Sequence, residues 1–182
     1  MKMAVLGGLM VAGATWLGSC KQVENTYNVT DPRLDSNRYC NDPEAVNYNW
    51  NFPGKPDNTV CVYPADLFKG NFLFNDSVTR EDGSLDSVAS TKQYLLTIAA
   101  TGNNRVTLTG FCSQALVLTA PRTGFRALLD TTVGKGQLFC RPADTINGSL
   151  QRDLADTVGL RIAFTVISDT GTRVHYGTAT RQ

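Results

Sequence analysis

One histidine, His175, is all the imidazole this chain has. Most general-base, nucleophile-activating and metal-binding constellations draw on that side chain, so its scarcity removes the commonest catalytic and metal-centre designs. No two cysteines stand at C-x-x-C spacing, which removes the redox motif and the zinc pair. There is no G-x-S-x-G, H-E-x-x-H or phosphate-binding loop signature. Charged residues make up only 18% of the chain and balance to +1. No dense Lys/Arg patch stands out, so nucleic acid is not an expected partner. The apolar run from Ala4 to Leu17 is too short to span a bilayer comfortably, and no later run is longer.

That early run has another use. Lys2 precedes it, and Leu17-Gly18-Ser19-Cys20 follows. A positive start, a short apolar stretch and small residues before a cleavage point read as an export signal over residues 1–19. The LGSC tetrapeptide resembles the lipobox of bacterial lipoproteins. The resemblance implies cleavage before Cys20, lipid on Cys20 and a membrane partner held through that lipid. More than one acyl chain makes such anchoring stable.

With Cys20 set aside, Cys40, Cys61, Cys112 and Cys140 remain. An exported chain sits where disulfides persist. Four cysteines allow three connectivities. The most local, Cys40–Cys61 with Cys112–Cys140, is favoured here, each loop contributing about 3 kcal/mol through the unfolded state.

Between Lys21 and Tyr39 the chain is polar and aperiodic, and residues 20–39 are expected to form a lipidated, flexible tether. Residues 40–64 read as a disulfide-stapled loop module. From 65 to 182 the pattern is β. Phe68, Gly70, Phe72 and Phe74 share a face; so do Tyr94, Leu96 and Ile98; Val106 and Leu108; and Leu160, Ile162, Phe164 and Val166. TGNN at 101–104 and SDTGT at 168–172 suit hairpin turns. In the last run, Val174 and Tyr176 are expected inside and His175 outside. The expected fold is all-β, a small antiparallel β-sandwich or lipocalin-like barrel behind the stapled module.

The opening motif resembles that of small all-β lipoproteins of Bacteroidota-type bacteria. It carries Cys40, Asp42, Pro43, Ala45, Asn47, Tyr48, Asn49, Cys61 and Tyr63 in order. The resemblance implies an outer-membrane lipoprotein, periplasmic or surface-facing, and implies no particular enzyme activity. The same bacteria O-glycosylate at Asp followed by Ser or Thr and then an apolar residue or Thr. That pattern occurs at Ser77, Ser87, Thr131, Thr145 and Thr157. Asp-Ser and Asp-Thr also favour β-turns, through side-chain bonds to backbone.

Two binding chemistries can be weighed on residues 40–61. Calcium would need hard oxygens. The N-x-N-x-N run at Asn47, Asn49 and Asn51 has no carboxylate at those positions, and neither a metal nor a cofactor is expected. Sugar contact would use exposed rings, for which Tyr48, Trp50 and Phe52 are the candidates. The expected function is a non-catalytic outer-membrane or surface lipoprotein with a structural or interaction role, a surface protein being one partner class. The alternative is a carbohydrate- or ligand-binding module with a glycan partner.

Overall fold

The computed structural model describes residues 32–49, 53–131, 136–152 and 158–182. Among them no helix is long and apolar enough to cross a membrane. The segment expected to be a loose tether is ordered at its end. Pro32–Ser36 forms a one-turn helix, α1, and Arg38–Tyr39 (β1) pairs in parallel with Lys55–Pro56 (β2). The pairing is fixed by Arg38, whose guanidinium binds the Asp57 carboxylate, and by the Asp57 amide donating to the Tyr39 carbonyl at 2.8 Å.

The remaining strands are β3 (Gly70–Arg80), β4 (Gln93–Ala100), β5 (Arg105–Thr109), β6 (Leu116–Thr119), β7 (Arg126–Leu129), β8 (Gln137–Phe139), β9 (Arg141–Arg152), β10 (Gly159–Ser168) and β11 (Gly171–Arg181). They alternate inward apolar with outward polar, as a half-buried antiparallel sheet requires. Consecutive strands pair from β3 to β7. β9 then pairs with both β7 and β10, β10 with β11, and β11 with β3. The ring closes as an eight-stranded antiparallel barrel, with β8 lying beside the first half of β9. Of the two expected architectures, the barrel is the one formed. Closure leaves no exposed sheet edge along the ring.

An eight-stranded barrel is just wide enough for side chains to fill it. Phe72, Phe74, Leu96, Leu108, Leu118, Ile146, Leu150, Ile162 and Phe164 are each at most 2% exposed. Each such burial contributes roughly 1.5–3 kcal/mol. Two local devices make the wall close. Gly148 has φ 139°, and a Cβ there would meet the Ala163 carbonyl oxygen at 2.1 Å, so only glycine lets β9 approach β10 this closely. Between β6 and β8 a side chain completes the ladder. The Val117 amide donates to Gln137 Oε1 at 2.9 Å, and Gln137 Nε2 donates back to the Val117 carbonyl.

The two ends of the barrel differ. At the end formed by the β4–β5 and β6–β7 turns, the stapled module docks as a plug. The Cys40–Cys61 disulfide forms as expected, with Cα atoms 4.8 Å apart. Ala65 donates to the Asn103 carbonyl at 3.0 Å, Arg122 Nε donates to the Ala45 carbonyl at 3.2 Å, and Asn103 bonds Glu44. Ala65 and Phe68 join the barrel core. Module and barrel lie in one compact unit, Asp31–Gln182.

Candidate functional site: the open barrel mouth

The end opposite the plug is built from the β3–β4 loop, the β8–β9 turn and the β10–β11 hairpin. A cleft of about 510 Å³ opens there, lined by Lys92, Phe139, Cys140, Arg141, Asp144, Val166, Ser168, Thr170 and Arg173. Strand alternation explains the lining. Asp144 shares its face of β9 with core residue Ile146, and Val166 its face of β10 with Phe164. The barrel's inward face thus turns from apolar to charged as it reaches the rim.

The charges are unevenly partnered. Asp144 is 8% exposed, yet its carboxylate has neither a hydrogen bond nor an ion pair among the described residues. The Lys92 ammonium and the Arg141 guanidinium are likewise unpartnered among them. Arg173 leans on Asp86, Nε to Oδ2 at 3.7 Å, and reaches Thr170 Oγ1 at 3.4 Å. Arg80 sits on the other side of Asp86 at 3.6 Å. The Asp86 carboxyl is held below its usual range, first by the Ala89 amide donating to it at 3.2 Å and then by those two guanidinium groups.

One layer below the rim lies a buried polar pair. His175 does not face outward as its neighbours suggested. β11 runs in the opposite phase: Val174 and Tyr176 lie on the outer side, Tyr176 being 42% exposed, and His175 points inward with Gly177 and Ala179. The reason is space. A Cβ at Gly177 would meet the Asn75 carbonyl oxygen at 2.0 Å and the Phe74 ring at 3.2 Å, so this phase puts the strand's smallest residues where the core is tightest. His175 Nδ1 lies 2.7 Å from Asp76 Oδ2, and its ring meets Phe111 edge-on at 5.3 Å. Asp76 Oδ1 is buried without a partner. Phe111 also packs on Tyr94, Phe139, Phe164 and Phe74 at 4.7, 5.4, 5.7 and 6.0 Å, sealing the barrel beneath the cleft. Burial, with the Asp76 carboxylate nearby, raises the Tyr94 phenol.

Cys112 and Cys140 meet beside this cleft, but the expected bridge between them is not made; both are free thiols. The Cys140 amide donates to Cys112 Sγ at 3.2 Å, and the two sulfurs share a hydrogen bond. Cys140 turns β8 into β9 with φ 37°, a conformation that glycine would adopt more readily. Burial and the Cys112 contact push its thiol up to about 12. A thiol so placed is protonated at neutral pH and is a poor nucleophile.

The residues singled out as ring contacts lie elsewhere. Tyr48 is at the plugged end, half-buried beneath the Arg122 guanidinium at 5.2 Å, while Trp50 and Phe52 fall outside the described residues, as do Cys20, Asn51 and Thr157. Asn47 acts as a backbone clamp, donating to the Val60 carbonyl and accepting from the Val62 amide, both at 2.8 Å. Asp42 accepts from the Tyr63 hydroxyl and the Glu44 amide. Asp57 accepts from the Thr59 hydroxyl and amide, which with Arg38 take it down to about 2. Of the described Asp-Ser and Asp-Thr positions, Ser87 and Thr131 are exposed, while Ser77 and Thr145 are half-buried on strands. Their aspartates serve the fold: Asp76 binds His175, Asp86 the arginines, and Asp130 binds Arg105 and Thr119.

The cleft residues were not legible as a site. Lys92, Arg141 and Arg173 come from segments far apart in the chain, and the lining residues that had drawn notice, Cys140, Asp144, Val166, Ser168 and Thr170, had done so as a disulfide partner, a modification motif, a core face and a turn.

No protein-family profile matches the chain, and no curated protein is similar to it. Among solved structures it is similar to a redesigned β-barrel, 19% identical, with 65% of this chain and 95% of that chain covered and a TM-score of 0.38.

Proposed function

We propose that the protein is a lipid-anchored, non-catalytic barrel of the outer membrane or cell surface, resembling the small all-β lipoproteins of Bacteroidota-type bacteria. The observation that carries the reading is the division of labour between the barrel ends. The stapled module occupies one end of the barrel, and it leaves the opposite mouth open. The interior is packed, so this is a scaffold that displays a surface rather than a calyx that encloses cargo. Catalysis finds little support. The lone histidine is turned into the core and bonded to Asp76, and the Cys140 thiol is held protonated. A second reading, a ligand- or carbohydrate-binding module, is favoured by the unpartnered charges of the mouth.

The anchoring test is direct. Wild-type protein from its host partitions into detergent and carries acyl mass on its N-terminal peptide; Cys20→Ala moves it to the aqueous phase and removes that mass. Unchanged partition and unchanged mass in the variant overturn the anchoring reading.

A further inference from the structure

We infer that the barrel mouth is a binding site for an acidic saccharide, one whose sugar carboxylate is flanked by hydroxyl groups. The inference rests on the ligand-binding reading above and names the ligand class. Two observations point to it independently. First, Lys92, Arg141 and Arg173 line one cleft, and two of the three have no partner among the described residues. Arginine presents a planar donor fork matched to carboxylate, and lysine adds a movable point charge. Second, Asp144 lies in the same cleft, more than nine-tenths buried and unpartnered. Its oxygens open onto the cleft rather than into the core, and a ligand hydroxyl there can donate to them.

The combination selects the chemistry. A bare oxyanion would satisfy the cations but be repelled by Asp144. A neutral sugar would satisfy Asp144 but leave the cations idle. A sugar acid does both: its carboxylate faces the basic side chains and a hydroxyl donates to Asp144. Ser168 and Thr170, whose hydroxyls are 2.9 Å apart on the cleft wall, offer further donors and acceptors. The walls are Phe139 and Val166, apolar surface of the kind that packs against a sugar ring. The volume falls in the range of ordinary small-ligand sites. Nothing is transferred in this scheme, so no covalent step is involved.

The test is calorimetric titration of the full-length protein in detergent with four probes: trigalacturonic acid, the matching neutral galactose trimer, inorganic phosphate and inorganic sulfate. Thermal melts confirm that each variant is folded. Saturable binding of trigalacturonic acid is expected, weakened at least about tenfold by Lys92→Ala or Arg141→Ala. Asp144→Ala, which removes both the charge and the acceptor, decides the matter by its sign. A hydroxyl acceptor lost costs the saccharide about tenfold, while phosphate, relieved of a like charge, binds the same or tighter. If Asp144→Ala tightens saccharide and phosphate alike, the mouth is a general anion patch and the inference is overturned. If the neutral trimer binds wild type as well as the acid does, the acid-specific inference is overturned and the ligand-binding reading stands. If none of the four binds, both are overturned, and the anchoring of Cys20 is unaffected.

Discussion

Asp76 and His175 lie 99 residues apart in sequence, yet Asp76 Oδ2 and His175 Nδ1 are 2.7 Å apart inside the barrel, on the paired strands β3 and β11. The Asp76 side chain has no exposed surface and that of His175 has 14%. A hydrogen-bonded pair this deep costs desolvation, and removing one member strands the other. Asp76→Ala is expected to destabilise the barrel by about 3 kcal/mol, and the double variant Asp76→Leu with His175→Phe by less than the sum of the two single changes. Urea unfolding measures this; strictly additive losses would contradict the coupling.

Gly148→Ala tests the seam between β9 and β10. The added methyl meets backbone, not a movable side chain, and the residue sits at φ 139°. A loss of at least about 2 kcal/mol is expected. Gly83→Ala serves as the control, since nothing lies within 4 Å of a Cβ there, although its φ of 80° carries a smaller backbone cost. Similar melting temperatures for the two variants would refute the close-approach argument.

Acid should loosen the β3–β4 loop before it unfolds the barrel. The folded carboxyl of Asp86 lies below its ordinary value of 3.8, held there by the Ala89 amide, Arg80 and Arg173. The stabilisation from that lowering is complete above about pH 4 and is lost as pH falls through the lower folded value. Hydrogen exchange of the Ala89 and Ser90 amides should therefore rise below pH 4. Asp86→Asn should show that rise already at neutral pH, and an acid response that survives the substitution places the cause elsewhere.

The free thiols make a prediction with the opposite sign. Cys140, raised from 9.0 to about 12, contributes to stability fully below pH 9, and the contribution fades as pH climbs toward 12. Alkylation of Cys140 at pH 8 should be much slower than for an exposed cysteine in a peptide. Non-reducing peptide mapping of protein exported by its host shows whether oxidation goes on to join Cys112 to Cys140, as their contact permits. A peptide joining Cys61 to Cys112 would contradict the observed Cys40–Cys61 bridge.

Glycan attachment, if the bacterial resemblance carries over, should concentrate on Ser87 and Thr131, the exposed hydroxyls of the described Asp-Ser and Asp-Thr positions. Ser77 pairs with Tyr176 inside the β3–β11 ladder. Peptide mass spectrometry of host-purified protein finding modification at Ser77 alone would sink this ordering.

Alternation carried the sequence reading a long way. Leu160, Ile162, Phe164 and Val166 face one side of β10, and the strand runs over Gly159–Ser168 as the pattern implied. The Cys40–Cys61 staple was legible because local spacing and the expected export pointed the same way. β9 was missed because its inward positions include Asp144, Gly148 and Ser149, polar or small residues that hide a buried face. β7 and β8 were missed for their brevity, four and three residues. His175 was misplaced because the apolar residues of β11 face outward, and only the closeness of Gly177 to β3 reveals the phase. The mouth could not be read at all, since no local pattern tells which distant turns will share a rim.

The carboxamide of Gln137 has a consequence for how the wall breathes. Along most of the ring, a backbone amide is freed only when two strands part. At Val117, as at Val78 on Ser90 Oγ and Gly148 on Asn147 Oδ1, it is freed when one side chain changes rotamer. Gln137 Oε1 is the acceptor at Val117, while the Val117 carbonyl keeps the Asp130 amide at 3.0 Å. Rotamer changes are faster and cheaper than strand separation. The Val117 amide should thus exchange with solvent ahead of Leu118, whose residue pairs with Leu129 of β7. A barrel latched in this way can admit water beside β6 while every strand stays in register.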